Sequence, residues 1–108
     1  MAISAKNTAA YAAVDVLSRR RGAEVLAALA SGTMRFGELK DAIPGIGQKT
    51  LTAALRTLES DELLTRKVYA VIPPKVEYTL TQAGSELVDI LWALRRWQEK
   101  YCPAEGKE

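Results

Sequence analysis

The stretch Ile46-Gly47-Gln48-Lys49-Thr50-Leu51-Thr52-Ala53-Ala54-Leu55-Arg56-Thr57-Leu58-Glu59 decides how the chain is read. Leu51, Leu55 and Leu58 recur at i, i+4 and i+7, the stripe of a helix with one face in a core. Lys49, Thr52, Ala53 and Arg56 fall roughly opposite. That outer face is short-chained in the middle, cationic at both ends and free of carboxylates. Such a surface suits nucleic acid. Lys and Arg neutralise phosphates or reach guanine edges, Gln and Thr can hydrogen-bond bases, and small residues let the backbone approach. A solvated amphipathic helix has the same pattern, so the flanking segments must decide between the two.

Immediately upstream, Phe36, Leu39 and Ile43 give a short helix over 36–42, which Pro44-Gly45 ends. Thr33-Met34-Arg35 has room only for a short extended piece. Two helices joined by a tight Gly-containing turn, the second with a polar outward face, are the helix-turn-helix arrangement, placed at about 35–60. Downstream, Leu64 to Val71 alternates Arg66 and Lys67 with apolar neighbours. Val76, Tyr78 and Leu80 alternate with Glu77 and Thr79, the period of a half-buried strand. Ile72-Pro73-Pro74-Lys75 lies between them, and two prolines that cannot donate to a ladder make it a stiff hairpin tip. A β-hairpin at about 64–80 directly after a helix-turn-helix is a wing, and its basic residues Arg66, Lys67 and Lys75 are candidates for phosphate contacts.

The outer segments read as helices. Ala10, Ala13, Val14 and Leu17 form a stripe over residues 7–18, with Ala9, Ala12 and Val16 making a second small apolar flank. Arg19-Arg20-Arg21-Gly22 then reads as a solvated junction. Residues 23–30 form a further helix with Val25, Leu26 and Leu29 inward, closed by Gly32. Thr81 is the expected N-cap of a final helix over 82–101. Its residues Leu87, Ile90, Leu91, Leu94, Trp97 and Tyr101 cover one broad face that can close the core of the domain, and Val88 and Trp92 lie on another. Two apolar faces on each terminal helix point to a subunit interface through Ala9, Ala13, Val16, Val88, Leu91 and Trp92.

Composition sets the outer limits. The chain has 108 residues, 48% hydrophobic and 26% charged, with 15 basic and 13 acidic side chains. This suits one soluble domain spanning 1–108, of α+β class and mainly helical. A net charge of +2 means that any nucleic-acid footprint must come from where charges are placed. No apolar run approaches the ~20 residues a membrane helix needs. The start lacks a signal peptide's basic region followed by an apolar core. One cysteine excludes an internal disulfide and points to a reducing compartment. A cytoplasmic protein with no membrane association is therefore expected. With no histidine and one cysteine, no metal site, no cofactor and no His-based catalytic centre is expected, and an enzyme has little support.

Three runs then carry a family likeness: Arg-Phe-Gly-Glu-Leu at 35–39, the stretch 43–59, and Pro-Pro-Lys-Val-Glu-Tyr-Thr-Leu-Thr-Gln-Ala-Gly at 73–84. In this order, over about Leu17 to Trp97, the chain resembles the HxlR family of bacterial and archaeal transcriptional regulators. The resemblance implies a winged helix-turn-helix with added N- and C-terminal dimerisation helices. It implies a homodimer that binds inverted-repeat operators in double-stranded DNA. Phosphate contacts would come from Arg35, Lys49, Arg56, Arg66, Lys67 and Lys75. Base reading would fall to Gln48, Lys49, Thr52, Ala53 and Arg56, with Thr50 in the same contact set. The chain departs from the family pattern at several places. Asn7-Thr8-Ala9 stands where the family usually keeps a sensor cysteine, and Arg20-Arg21 replaces a usual Lys-Trp. Gly47 takes the place of a Ser before the second helix, and Glu62 that of a Gly after it. A usual basic residue falls at Ala54. The small-molecule effector, operator and target genes stay open. The alternative is a winged helix used as a protein-interaction module, since residues 34–80 carry seven basic and six acidic side chains, a net of only +1.

Overall fold

A computed structural model describes residues 19–102. The expected helix over 7–18, with Ala9, Ala13 and Val16, lies outside the described residues, as does the tail after Cys102.

Helix α1 spans Arg20–Leu29 and buries Val25, Leu26 and Leu29. It starts three residues earlier than the sequence suggests. Glu24 accounts for this, because it pairs with Arg20 at 3.8 Å and with Arg21 at 2.8 Å across the first turn. The chain leaves the helix through Gly32, at φ 137°, whose N–H donates to the Leu29 carbonyl. Met34 then forms a single antiparallel bridge with Tyr78, exchanging both backbone hydrogen bonds. Helix α2, Phe36–Ala42, begins where the Arg35 N–H donates to Glu38 Oε1 at 2.8 Å. Gly45, at φ 78°, makes the turn into helix α3, Gln48–Ser60. Leu51, Leu55 and Leu58 are buried, as the heptad-like spacing requires.

Helix α3 ends in a Schellman motif. The Leu63 N–H reaches the Leu58 carbonyl and the Glu62 N–H reaches that of Glu59. The motif needs a left-handed residue, and Glu62 occupies that place at φ 61°. Strand β1, Leu64–Tyr69, pairs antiparallel with β2, Lys75–Leu80, in the register Leu64↔Leu80 through Tyr69↔Lys75. The first strand stops two residues short of Val71, whose N–H turns back onto the Tyr69 carbonyl.

Helix α4, Gln82–Tyr101, is capped by Thr81, whose Oγ1 accepts from the Gly84 N–H at 3.1 Å. The same hydroxyl donates to the Glu62 carbonyl at 2.7 Å, and the Thr81 N–H donates to the Leu63 carbonyl at 3.1 Å. A Cβ on Gly84 would overlap the Leu63 carbonyl oxygen, so only glycine lets α4 approach the end of α3 this closely. This contact explains the Leu-Thr-x-x-Gly run at 80–84 and sets the rotation of α4.

One hydrophobic core joins these elements. It contains Val25, Leu26 and Leu29 of α1, Leu39 of α2, and Ile43 and Ile46 of the turn. Leu51, Leu55 and Leu58 of α3, Leu64 and Tyr78 of the hairpin, and Val88 of α4 complete it. The architecture is a winged helix-turn-helix. Among the described residues, no helix is long and apolar enough to cross a membrane.

Candidate nucleic-acid interface

Helix α3 lies with Gln48, Lys49, Thr50, Ala53 and Arg56 exposed and Thr52 half-buried. The Thr52 hydroxyl donates to the Gln48 carbonyl at 2.8 Å, so its proton is committed to the helix backbone. Its methyl group remains an apolar contact of the kind that meets a thymine methyl. Two grooves flank the helix. One, of about 540 Å³, separates it from α1 and is lined by Thr50, Ala53, Thr57, Gly22 and Arg21 among others. The other, of about 410 Å³, separates it from the wing and gathers Thr52, Arg56 and Arg66 over Phe36, Leu55 and Tyr78. Glu59 lines this second groove as well, so the cationic surface carries one carboxylate on its wing flank, where none was expected.

The pleat divides the three wing cations. Arg66 pairs with Tyr78 on the face turned to α3, while Lys67, Tyr69, Lys75 and Glu77 share the opposite face. There Tyr69 acts as an organiser that sequence reading had not singled out. Its hydroxyl donates to Glu77 Oε1 at 2.9 Å, and its ring lies 4.9 Å from Lys67 Nζ and 4.6 Å from Lys75 Nζ. Lys75 also pairs with Glu77 Oε2 at 3.5 Å. The Tyr69 hydrogen bond, followed by the charges of Lys75 and Arg35, holds the Glu77 carboxyl below its ordinary range. The period-two spacing of Lys67, Tyr69, Lys75 and Glu77 was the available signal for this cluster.

Charge availability separates the basic residues. Among the described residues, Arg35, Lys49, Arg56, Arg66 and Lys67 form no ion pair. Arg35 is exposed at the foot of α2, beside the wing strand through the Met34–Tyr78 bridge.

The expected interface on α4 needs correction. Val88 is 4% exposed and belongs to the protomer's own core, with Leu87 packed against that core and Leu91 half-buried. The face at Ile90, Leu94, Trp97 and Tyr101, expected to close that core, is 50–60% exposed. The close approach of Gly84 to Leu63 is the reason, since Val88 and Leu91 follow it at i+4 and i+7 and must face inward with it. Trp92 remains on the surface at 41%, with the Arg95 guanidinium 5.8 Å from its ring.

Known proteins share this arrangement. Residues 16–106 match the HxlR-like helix-turn-helix family. An uncharacterized HTH-type transcriptional regulator of Methanothermobacter thermautotrophicus is 43% identical over 89 residues, spanning 82% of this chain and 68% of that one. The uncharacterized HTH-type transcriptional regulator sll1512 of Synechocystis is 41% identical over 95 residues, 88% of this chain and 70% of its own. The solved structure of the reduced form of the transcriptional regulator YodB from B. subtilis superposes with a TM-score of 0.80 at 31% identity, covering 99% of this chain and 100% of that one. With the helix-turn-helix, the wing and the exposed cations around α3 in place, the chain belongs to the HxlR-like helix-turn-helix family and is a transcriptional regulator of the winged-helix type.

Proposed function

We propose that the protein is a cytoplasmic homodimer that binds an inverted-repeat operator in double-stranded DNA. The observation that carries this reading is the set of exposed cations on α3 and the elements beside it that have no ion pair among the described residues: Arg35, Lys49, Arg56, Arg66 and Lys67. In this reading α3 enters the major groove. Gln48, Lys49, Thr52, Ala53 and Arg56 meet base edges, and Thr50, Arg35, Arg66, Lys67 and Lys75 contact the sugar-phosphate backbone.

The exposed stripe Ile90, Leu94, Trp97 and Tyr101 supports dimerisation through α4 together with residues 7–18, and Trp92 is exposed on another face of the same helix. A two-fold axis there would set two α3 helices about one DNA turn apart, ~34 Å, or a multiple of that, and so require an inverted repeat. The solved relatives include regulators in reduced and oxidised forms. In this chain the one thiol is Cys102, at the far end of α4.

Footprinting on the promoter region beside the protein's own gene, with binding titrated in salt, tests the reading. Protection of two symmetric half-sites, with affinity falling steeply as salt rises, is expected. Salt-insensitive binding, or none, would overturn it and leave the protein-interaction alternative. Leu94→Lys should yield monomers by sedimentation and lose operator affinity at the same time; a variant that still sediments as a dimer would place the interface elsewhere.

A further inference from the structure

We infer that the wing tip is an apolar wedge that enters the minor groove of bound DNA and parts a base step. This rests on the DNA-binding reading and adds a contact that the cations do not supply. Ile72 is completely exposed, at 101%, and its neighbour Val71 is 52% exposed. Pro73 and Pro74 follow, also on the surface, and the turn back from the Val71 N–H to the Tyr69 carbonyl, at 2.9 Å, shapes the approach to the tip. An isoleucine held wholly in water at the apex of a stiff hairpin contributes nothing to this protomer's core.

Charge identifies what it meets. Lys67 and Lys75 stand behind the tip, both drawn to the Tyr69 ring, and the nearby Glu77 carboxylate is already engaged by Tyr69 and Lys75. An apolar apex backed by cations on one face matches a duplex minor groove, with the phosphates of one wall for the lysines and stacked bases at the floor for the isoleucine. Two apolar side chains and two prolines make too small a patch for the core of a protein–protein interface. Stiffness from the prolines lowers the ordering cost of insertion. The readout is then one of deformability: steps that unstack easily, such as TA and CA/TG, are favoured at the wing position without a base-specific hydrogen bond.

The test uses the full chain and the duplex it selects from a randomised pool, with 2-aminopurine placed in turn at each step flanking the half-sites. At saturating protein, wild type should raise the fluorescence at one step per half-site by about twofold or more, the sign of unstacking. Ile72→Leu should keep the rise. Ile72→Ala should abolish it with the salt slope unchanged, because no charge is added or removed, and Ile72→Lys should abolish it as well. Binding by wild type without a fluorescence change at any flanking step overturns the wedge and leaves the DNA-binding reading standing. So does an Ile72→Ala protein that keeps the rise, or one whose only defect is altered self-association without DNA. Failure of wild type to select any duplex would defeat both readings.

Discussion

Arg19, Arg20 and Arg21 form the densest basic run in the chain, whereas the cations around α3 and the wing are scattered over forty residues of sequence, Arg35 to Lys75. In the folded protein their standing is reversed. Arg20 and Arg21 share Glu24, and Arg19 pairs with Asp61 at 3.6 Å. Arg35, Lys49, Arg56, Arg66 and Lys67 have no such partner among the described residues. Charge density along a sequence is therefore a poor guide to the field a partner meets. What counts is which charges the fold leaves uncompensated. Lys75 stands between the two groups, paired with Glu77 yet held on the same face as Lys67.

The contrast can be broken most severely at Arg56. If it reads a base, Arg56→Ala should weaken specific binding by ~1–3 kcal/mol and relax preference at one operator position. Affinity measured on the operator and on single-base variants checks this, and an unchanged profile would remove Arg56 from the reading set. A smaller effect is expected from Lys67→Ala with Lys75→Ala. Binding should weaken evenly on all sequences, and the salt slope should fall by about one unit for each phosphate no longer neutralised. A wild-type slope in the double variant would mean that this face of the wing is turned from DNA.

Smaller still is the effect expected at the arginine run. Arg20→Ala with Arg21→Ala should leave operator affinity unchanged and lower stability in urea by less than about 1 kcal/mol, the range of exposed ion pairs. A marked loss of DNA binding there would erase the distinction between the two groups. The slightest effect lies at Glu77. Its folded-state pKa is lowered, first by the Tyr69 hydroxyl, so the interaction is present above the ordinary glutamate range and is lost as pH falls through the folded-state value. An NMR titration should place the Glu77 carboxyl below its usual value and show Tyr69→Phe moving it back up.

Much of this fold was legible because its patterns were periodic and unambiguous. Leu51, Leu55 and Leu58 admit one helix phase, and the Pro44-Gly45 and Pro73-Pro74 breaks leave α2, α3 and the wing little freedom in placement. The face of α4 was harder to read, because it is apolar around much of its circumference. Hydrophobicity favoured the larger residues Ile90, Leu94 and Trp97 for the core, but the decision rests with Gly84 and its approach to a carbonyl twenty-one residues earlier, a long-range fact that no periodicity contains. A Gly-x-x-x-Val-x-x-Leu spacing at 84–91 carries that phase for a reader who starts from the glycine. The start of α1 was hidden for a related reason. Three arginines look like a break until Glu24 is seen one turn away. On the candidate site, the residue types of α3 were readable, whereas the division of the wing cations into two faces required the observed register.

The junction at Leu63, Thr81 and Gly84 also has a mechanical consequence. The base of α4 is tied by hydrogen bonds to the residues that close α3, while the helix beyond Leu91 stands clear of the core. Twenty residues make a rod of about 30 Å, so a tilt of roughly 5° at its root moves the distal end by about 2–3 Å. The reverse also holds: whatever grips Trp97 and Tyr101 holds the long arm of a lever whose short arm is the carboxyl end of α3. In the proposed reading, a loosely specified grip far from DNA would set the angle at which α3 approaches the double helix.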